Sequence, residues 1–305
     1  MPSMTLRMFA GLFALAGTAL AAGVQPQEIY DGGFHSTSSP IPLRIGNGGA
    51  GQSGLVKALA DAFIQECVKN GSEPFRVAWV LSDNTFTVKY LQSGDADVGI
   101  TYNPASEKIA GNQGIIDPVT YYIFRDHFLI TGPLENPANV NRSDDILTIF
   151  ANLFHAADTG NITIPTRFLS RFDKSATNIK ESSLWLSIGQ ASPMVHTAFD
   201  VVSRICLLPH PGFDNVNYAE KNILSRTEGL SCLSRRILQK QTVIYKASTD
   251  DADDPLLNPA HLLVGKRAQN KAIAYQFAKW AVSSSGQKVI TSFQKNGQQL
   301  YSGAP

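Results

Sequence analysis

Apolar residues form three short continuous runs early in the chain, and the segments between them carry apolar positions at helical spacing. Ile41-Pro42-Leu43-Arg44-Ile45-Gly46, Phe75 to Leu81 and Asp97 to Thr101 predict strands. Between the first two, Leu55, Leu59, Ala62, Phe63 and Cys67 recur every three or four residues, which predicts a helix with one buried face. Thr85 to Ser93 predicts a shorter helix before the third run. Strand, helix, strand, helix, strand in this order points to a parallel sheet covered by helices. The connecting turns are rich in small polar residues: Asn47-Gly48-Gly49-Ala50-Gly51-Gln52-Ser53-Gly54 after the first strand and Ser82-Asp83-Asn84 after the second.

The pattern then restarts. Phe128 to Pro133 predicts a strand closed by Gly-Pro, Ser143 to Ala157 a helix, a further strand ends near Leu169, and a helix runs from Lys174 through Trp185. A restart of this kind predicts a second α/β lobe over residues 131–246. Residues 41–130 then form the first lobe, and residues 247–305 return to it through a helix with Ile273, Phe277, Trp280 and Ala281 on one face. A last helix is expected from Ser285, read as its N-cap. The expected fold is therefore α/β and two-lobed, each lobe a mostly parallel sheet flanked by helices, joined by two crossovers.

The first 21 residues break from this pattern. They hold one charged side chain, Arg7, then the apolar run Met8 to Leu20 and the small-residue sequence Ala19-Leu20-Ala21. That layout predicts a signal peptide over residues 1–21, followed by a polar leader over residues 22–40. The run of about 13 residues falls short of the roughly 20 that span a bilayer, so secretion is expected and a membrane span is not. Charge adds an exclusion: Lys+Arg 26 against Asp+Glu 25 leaves a formal +1, with no basic excess for a nucleic-acid surface. Asn70, Asn141 and Asn161 head sequons and are candidate N-glycosylation positions in a eukaryotic host. Of the 3 Cys, Cys206 and Cys232 are a candidate disulfide, and Cys67, on the amphipathic helix, is expected to be a buried free thiol.

Candidate chemistry lies at turns that follow strands and begin helices, where open α/β sheets place their ligands. Three such turns stand out: Gly48 to Ser53, Ser82 to Asn84, and Ser170 to Thr177. Backbone N–H groups and hydroxyls at helix starts favour an anion, and Arg171 adds a guanidinium fork. Enzyme signatures are weak. The six His show no HExxH spacing, Gln52-Ser53-Gly54 is an incomplete nucleophile elbow, and Ser285-Gly286-Gln287-Lys288 matches SxxK without its partner motifs. Asp126-His127 beside a predicted strand reads as an acid–base pair or as a lobe-crossing structural pair. Asp250-Asp251-Ala252-Asp253-Asp254 lacks the Gly and Glu of an EF-hand and reads as a solvated connection. No metal site, cofactor motif or enzymatic activity is expected.

From Leu43 to Leu300 the chain resembles the periplasmic-binding-protein-like domains of the tungstate-binding type, the solute receptors of bacterial tungstate importers. Phe168 to Thr177 looks like that family's SRGDxSGT stretch, Ser93-Gly94-Asp95-Ala96-Asp97-Val98 like its GDADV segment, and Asp126 to Pro133 like its DFVIVGP crossover. Asp254 to Pro259 and Ala281 to Gln287 match late segments. The resemblance implies a type II fold that closes on a small oxyanion of the tungstate or molybdate kind. By position it makes Arg171 the charge partner, Ser175 and Thr177 second-lobe donors, and Ser82 and Asn84 donors in a turn where the family has GTGQ. Asn47, Gly48, Gly49 and Ser53 stand in the first turn, where Gly46 to Gly51 replaces a Thr-Thr-Thr-Ser run, and Asp83 replaces a family Gly. Those departures keep a second reading open, in which the same fold binds another small ligand or serves as a secreted interaction protein.

Overall fold

The computed structural model describes residues 23–159, 166–168, 170, 173–190, 204–208 and 242–305. Residues 1–21, read above as a signal peptide, lie outside the described residues, as do Asn161, Arg171, Cys232 and the side chain of Cys206.

The first βαβαβ unit forms as its pattern predicts. Strand β1 (Glu28–Tyr30) precedes it, inside the leader. Then come β2 (Leu43–Asn47), α1 (Gly49–Ser53), α2 (Leu55–Lys69), β3 (Val77–Leu81), α3 (Asn84–Ser93) and β4 (Val98–Thr101). Leu55, Leu59, Phe63 and Cys67 of α2 are all buried, so the helix seals one sheet face along a single stripe. Cys67 is free, and burial pushes its thiol up from the ordinary range. Helix α4 (Pro104–Asn112) follows, then the long strand β5 (Ile116–His127).

The first sheet has seven strands in the order β1-β3-β2-β4-β10-β5-β13, where β10 is Leu257–Gly265 and β13 is Ser302–Gly303. Its parallel pairs are β2 with β3 and β2 with β4, at the centre of the βαβαβ unit. The pairs β1–β3, β10–β4, β10–β5 and β13–β5 are antiparallel, so the sheet is mixed rather than parallel throughout. A second sheet has the order β7-β8-β6-β9, built from β6 (Leu129–Pro133), β7 (Arg167–Phe168), β8 (Arg204–Leu208) and β9 (Thr242–Ala247). It is also mixed: β7–β8 is parallel and β6 pairs antiparallel with both β8 and β9. Helices α5 (Ile146–Thr159) and α6 (Ala176–Ser187) close its core around Phe150, Phe168 and Trp185. The ring pairs Phe150–Trp185 and Phe168–Trp185 lie 4.7 and 5.1 Å apart.

The chain passes between the sheets at Phe128 and returns over residues 248–256. The Phe128 N–H donates to the Leu256 carbonyl at 3.0 Å, and the Ser248 N–H donates to the Phe128 carbonyl at 2.9 Å. Helices α7 (Lys271–Ala281) and α8 (Ser284–Ser292) then pack on the first sheet, with Phe277 against Phe63 at 5.2 Å. The cap of α8 is Ser283, whose Oγ accepts from the Gly286 N–H, and not Ser285. The hairpin β11 (Gln294–Lys295) and β12 (Gln298–Gln299) leads into β13. Asn70 and Asn141, the described sequon residues, are exposed. Among the described residues no helix is long and apolar enough to cross a membrane.

The Gly-rich first turn is partly helix, and packing explains its glycines. A Cβ on Gly51 would lie 2.1 Å from the Trp79 ring, and one on Gly48 2.5 Å from the Ser82 carbonyl oxygen, whereas Gly49 has nothing within 4 Å. Gly54 ends α1 at φ 101 and lets α2 start on a new axis. Gly51→Ala is expected to lower stability by about 2 kcal/mol through overpacking, with Gly49→Ala within about 0.5 kcal/mol of the parent, as read from urea midpoints.

Candidate functional site

A cavity of about 180 Å³ opens between the two sheets. Gly48, Gly49 and Gln52 line it from α1, and Ser82, Asp83 and Asn84 from the β3–α3 turn. Ile100, Tyr102, Asp126, Asn258 and Tyr301 form its floor, and Asp173, Ser175, Ala176 and Thr177 close it from the start of α6. The starts of α1, α3 and α6 thus face one space, each bringing N–H groups and the positive end of a helix dipole.

Two of these turns take their shape because α3 and α6 are each capped by a side chain that the sequence supplies, whereas the Gly48 cap of α1 has none. Asp83 caps α3, its Oδ1 accepting from the Phe86 N–H at 2.7 Å. Ser175 caps α6, its Oγ accepting from the Asn178 N–H at 3.2 Å, while its own N–H donates to Asp173 Oδ1 at 2.8 Å. Ser82 Oγ pairs with Thr87 Oγ1 at 2.7 Å. Asn84 is 6% exposed, and its Nδ2 has no hydrogen-bond partner among the described residues.

The nine expected ligand residues divide. Gly48, Gly49, Ser82, Asn84, Ser175 and Thr177 line the cavity. Asn47 and Ser53 do not, because both are committed beneath it. The Asn47 side chain donates from Nδ2 to the Ile100 carbonyl at 3.0 Å and accepts from the Gly51 N–H at 2.9 Å. Ser53 Oγ donates to the Ala50 carbonyl and accepts from the Tyr301 hydroxyl at 2.8 Å. Arg171 lies outside the described residues.

The sequence reading did not place Tyr102, Asp126, Asn258 or Tyr301 in the site. Asp126 and Asn258 face each other across the β5–β10 pair, and Asn258 Nδ2 donates to Asp126 Oδ2 at 3.2 Å. Asp126 is 6% exposed, and burial pushes its carboxyl up to about 7, against the pull of hydrogen bonds from the His127 N–H and Asn258. Burial also raises the Tyr102 and Tyr301 hydroxyls, and the nearby Asp126 raises both further. The sequence marks Asp126 only as half of the Asp126-His127 pair and as part of the crossover segment. His127 turns the other way, and its Nε2 meets Asp250 Oδ1 at 2.8 Å beside the crossovers. At the cleft mouth Lys174 Nζ stands 5.5 Å from the centre of the Phe86 ring. Among the described residues no cluster of His, Cys, Asp or Glu could hold a metal ion.

With the cleft in place, comparison with known proteins defines the class. Residues 30–285 match the family model of the PBP superfamily domain, and the chain belongs to that family of two-lobed, type II periplasmic-binding-protein folds. A crystal structure of a periplasmic protein, proposed to bind metal, is similar at 47% identity over 92% of this chain and 99% of that one, with a TM-score of 0.75. The tungstate-binding protein TupA from Desulfovibrio alaskensis shares the fold at 20% identity and a TM-score of 0.63, over 88% of this chain and 100% of that one. A proposed anion-binding protein of an ABC transporter from Haloferax volcanii is 23% identical over 231 residues, 74% of this chain. The chain spans 63% of that relative's length.

A carboxyl raised to about 7 carries a proton in the fold that it has lost in the unfolded chain above its ordinary pKa near 3.9. Stability is therefore expected to fall as pH rises between about 4 and about 7. Asp126→Asn removes this slope at the expense of one hydrogen bond. It is expected to gain about 2 kcal/mol at pH near 8 and little near pH 4, as read from urea unfolding at both.

Proposed function

We propose that the chain is an exported solute-binding protein that closes two lobes on a small oxyanion of the tungstate or molybdate kind. The lobes are taken as residues 41–130 with 247–305 and residues 131–246, and residues 1–21 as the export signal. The observation that carries the reading is Asn84: a buried amide donor without a partner among the described residues, in a cavity faced by three helix starts. A buried unpaired donor costs about 1–3 kcal/mol, and an anionic oxygen would relieve it. Backbone N–H groups of the α1 start and the donors Ser82, Ser175 and Thr177 would share the remaining oxygens. Arg171, next to Ser170 in the sequence, is the proposed charge partner. The likeness to TupA and to the Haloferax protein supports an anion, and the latter also supports an ABC-type permease as the receiving partner.

A second reading, in which the cleft takes a small ligand rich in hydrogen-bond donors, is favoured by the three carboxylates Asp83, Asp126 and Asp173 in the lining. Titration calorimetry with tungstate, molybdate, sulfate and phosphate separates the two. Binding of at least one anion, weakened roughly 10-fold or more by Asn84→Ala and by Arg171→Ala, is the expected result, each polar contact to a charged group being worth about 1.5–3 kcal/mol. The unliganded Asn84→Ala protein is expected to be no less stable than the parent. No heat with any of the four, or full affinity in Arg171→Ala, would favour the second reading.

A further inference from the structure

Three carboxylates line a cavity read as an anion site, and they are not equivalent. Asp83 is turned onto its own helix start as the cap of α3, and Asp173 Oδ1 holds the Ser175 N–H at the start of α6, so both charges lie against helix dipoles. Asp126 has no such place. It sits on the floor, buried between β5 and β10, and its hydrogen bonds come from the His127 N–H and Asn258 Nδ2, neither of which is a cation. Among the described residues the titratable groups facing it are Tyr102, beyond β4, and Tyr301, before β13, neither of which supplies positive charge. Across the cavity stand Asp83 and Asp173. An ionised Asp126 beside a bound dianion would be two like charges in a desolvated space, with repulsion that solvent does not screen.

We infer that one proton lies between Asp126 and the bound oxyanion, making Asp126 the residue that couples ligand choice to pH. This inference rests on the oxyanion reading above. A fully ionised anion such as tungstate, molybdate or sulfate carries no proton, so the Asp126 carboxyl must hold one and donate a hydrogen bond to the anion. A hydrogen-bearing oxyanion such as hydrogenphosphate brings its own proton and donates a hydrogen bond through it to the Asp126 carboxylate. The two classes therefore diverge in alkaline solution. The raised carboxyl, near 7, places the divergence just above neutrality. Binding of a fully ionised anion then draws one proton from solvent onto an Asp126 oxygen, and no other bond is made or broken.

The test is calorimetry of the full mature protein with tungstate, molybdate, sulfate and inorganic phosphate from about pH 6.5 to about pH 9, in buffers of different ionisation enthalpy, which report proton uptake directly. A fully ionised anion is expected to take up about one proton and to lose about tenfold in affinity per pH unit above about 7, while hydrogenphosphate binds without uptake and holds its affinity. Asp126→Asn, an isostere of the protonated acid, is expected to bind the fully ionised anions with an affinity independent of pH. Binding of fully ionised anions with no uptake and a flat pH profile would overturn the shared proton and leave the oxyanion reading standing. Absence of heat with every anion at every pH would overturn both. If Asp126→Asn does not fold, proton uptake by the unmodified protein decides alone.

Discussion

Asn47 is the point through which the first lobe and the cleft are tied together. It is fully buried at the end of β2, and both halves of the residue are used. Its carbonyl accepts from Trp79 Nε1 at 2.8 Å and from the Ser82 N–H at 3.2 Å, which fixes the end of β3 and the turn that carries Ser82 to Asn84. Its carboxamide donates to Ile100 on β4 and accepts from Gly51 on α1. One residue thus joins three strands and the first helix start. The Trp79 ring held in this way lies where any side chain at position 51 would stand, so the glycine follows from the asparagine. A buried amide satisfied at both ends is stiff, because every displacement of the turn breaks a hydrogen bond away from water.

This arrangement would let a neutral chain present the proposed anion site. Net charge near zero gives no long-range attraction, so affinity has to come from local dipoles and a few placed donors. The N-caps carry part of the argument: Asp83 and Ser175 satisfy N–H groups one turn into their helices and leave the first turns facing the cavity. Asp83, which replaces a glycine of the resembled family, is thereby compatible with the site. Its negative charge is set against the α3 dipole rather than left free in the space above it.

Much of the first lobe was legible because β2, β3 and β4 are apolar runs buried on both faces and α2 has one clean stripe. The long strands β5 and β10 were not read, although they form the floor of the cleft. Pro118 and Pro259 interrupt them and mask the run of β-branched and aromatic residues from Val119 to Phe124. The site was legible at the level of turns. Spacing locates a strand-to-helix turn but does not say which side chains face the space above it and which serve the backbone below. Asn47 and Ser53 are of the second kind, and Asn84 and Asp126 of the first. Asp126 carries no signature of its role beyond its segment, since its character comes from Asn258, 132 positions away.

The relation between the halves follows from the crossovers. β5 and β10 pair along most of their length and continue to where Phe128 is hydrogen-bonded to both Ser248 and Leu256, so the link is a short ribbon rather than a loose tether. His127 with Asp250 adds a stitch on its outer side. On the other side Lys180 of α6 donates to the carbonyls of Pro255 and Leu257 at 2.9 and 3.0 Å. Burial holds its ammonium pKa below the ordinary lysine value despite the nearby Asp254. Helix α6, whose start carries Ser175 and Thr177, is therefore anchored to the ribbon itself as well as to its own sheet. In the proposed closure of the second lobe this anchor is the natural pivot. The α6 start then moves on a short arc, and the distance from its donors to Asn84 is the coordinate that a ligand of fixed size can set.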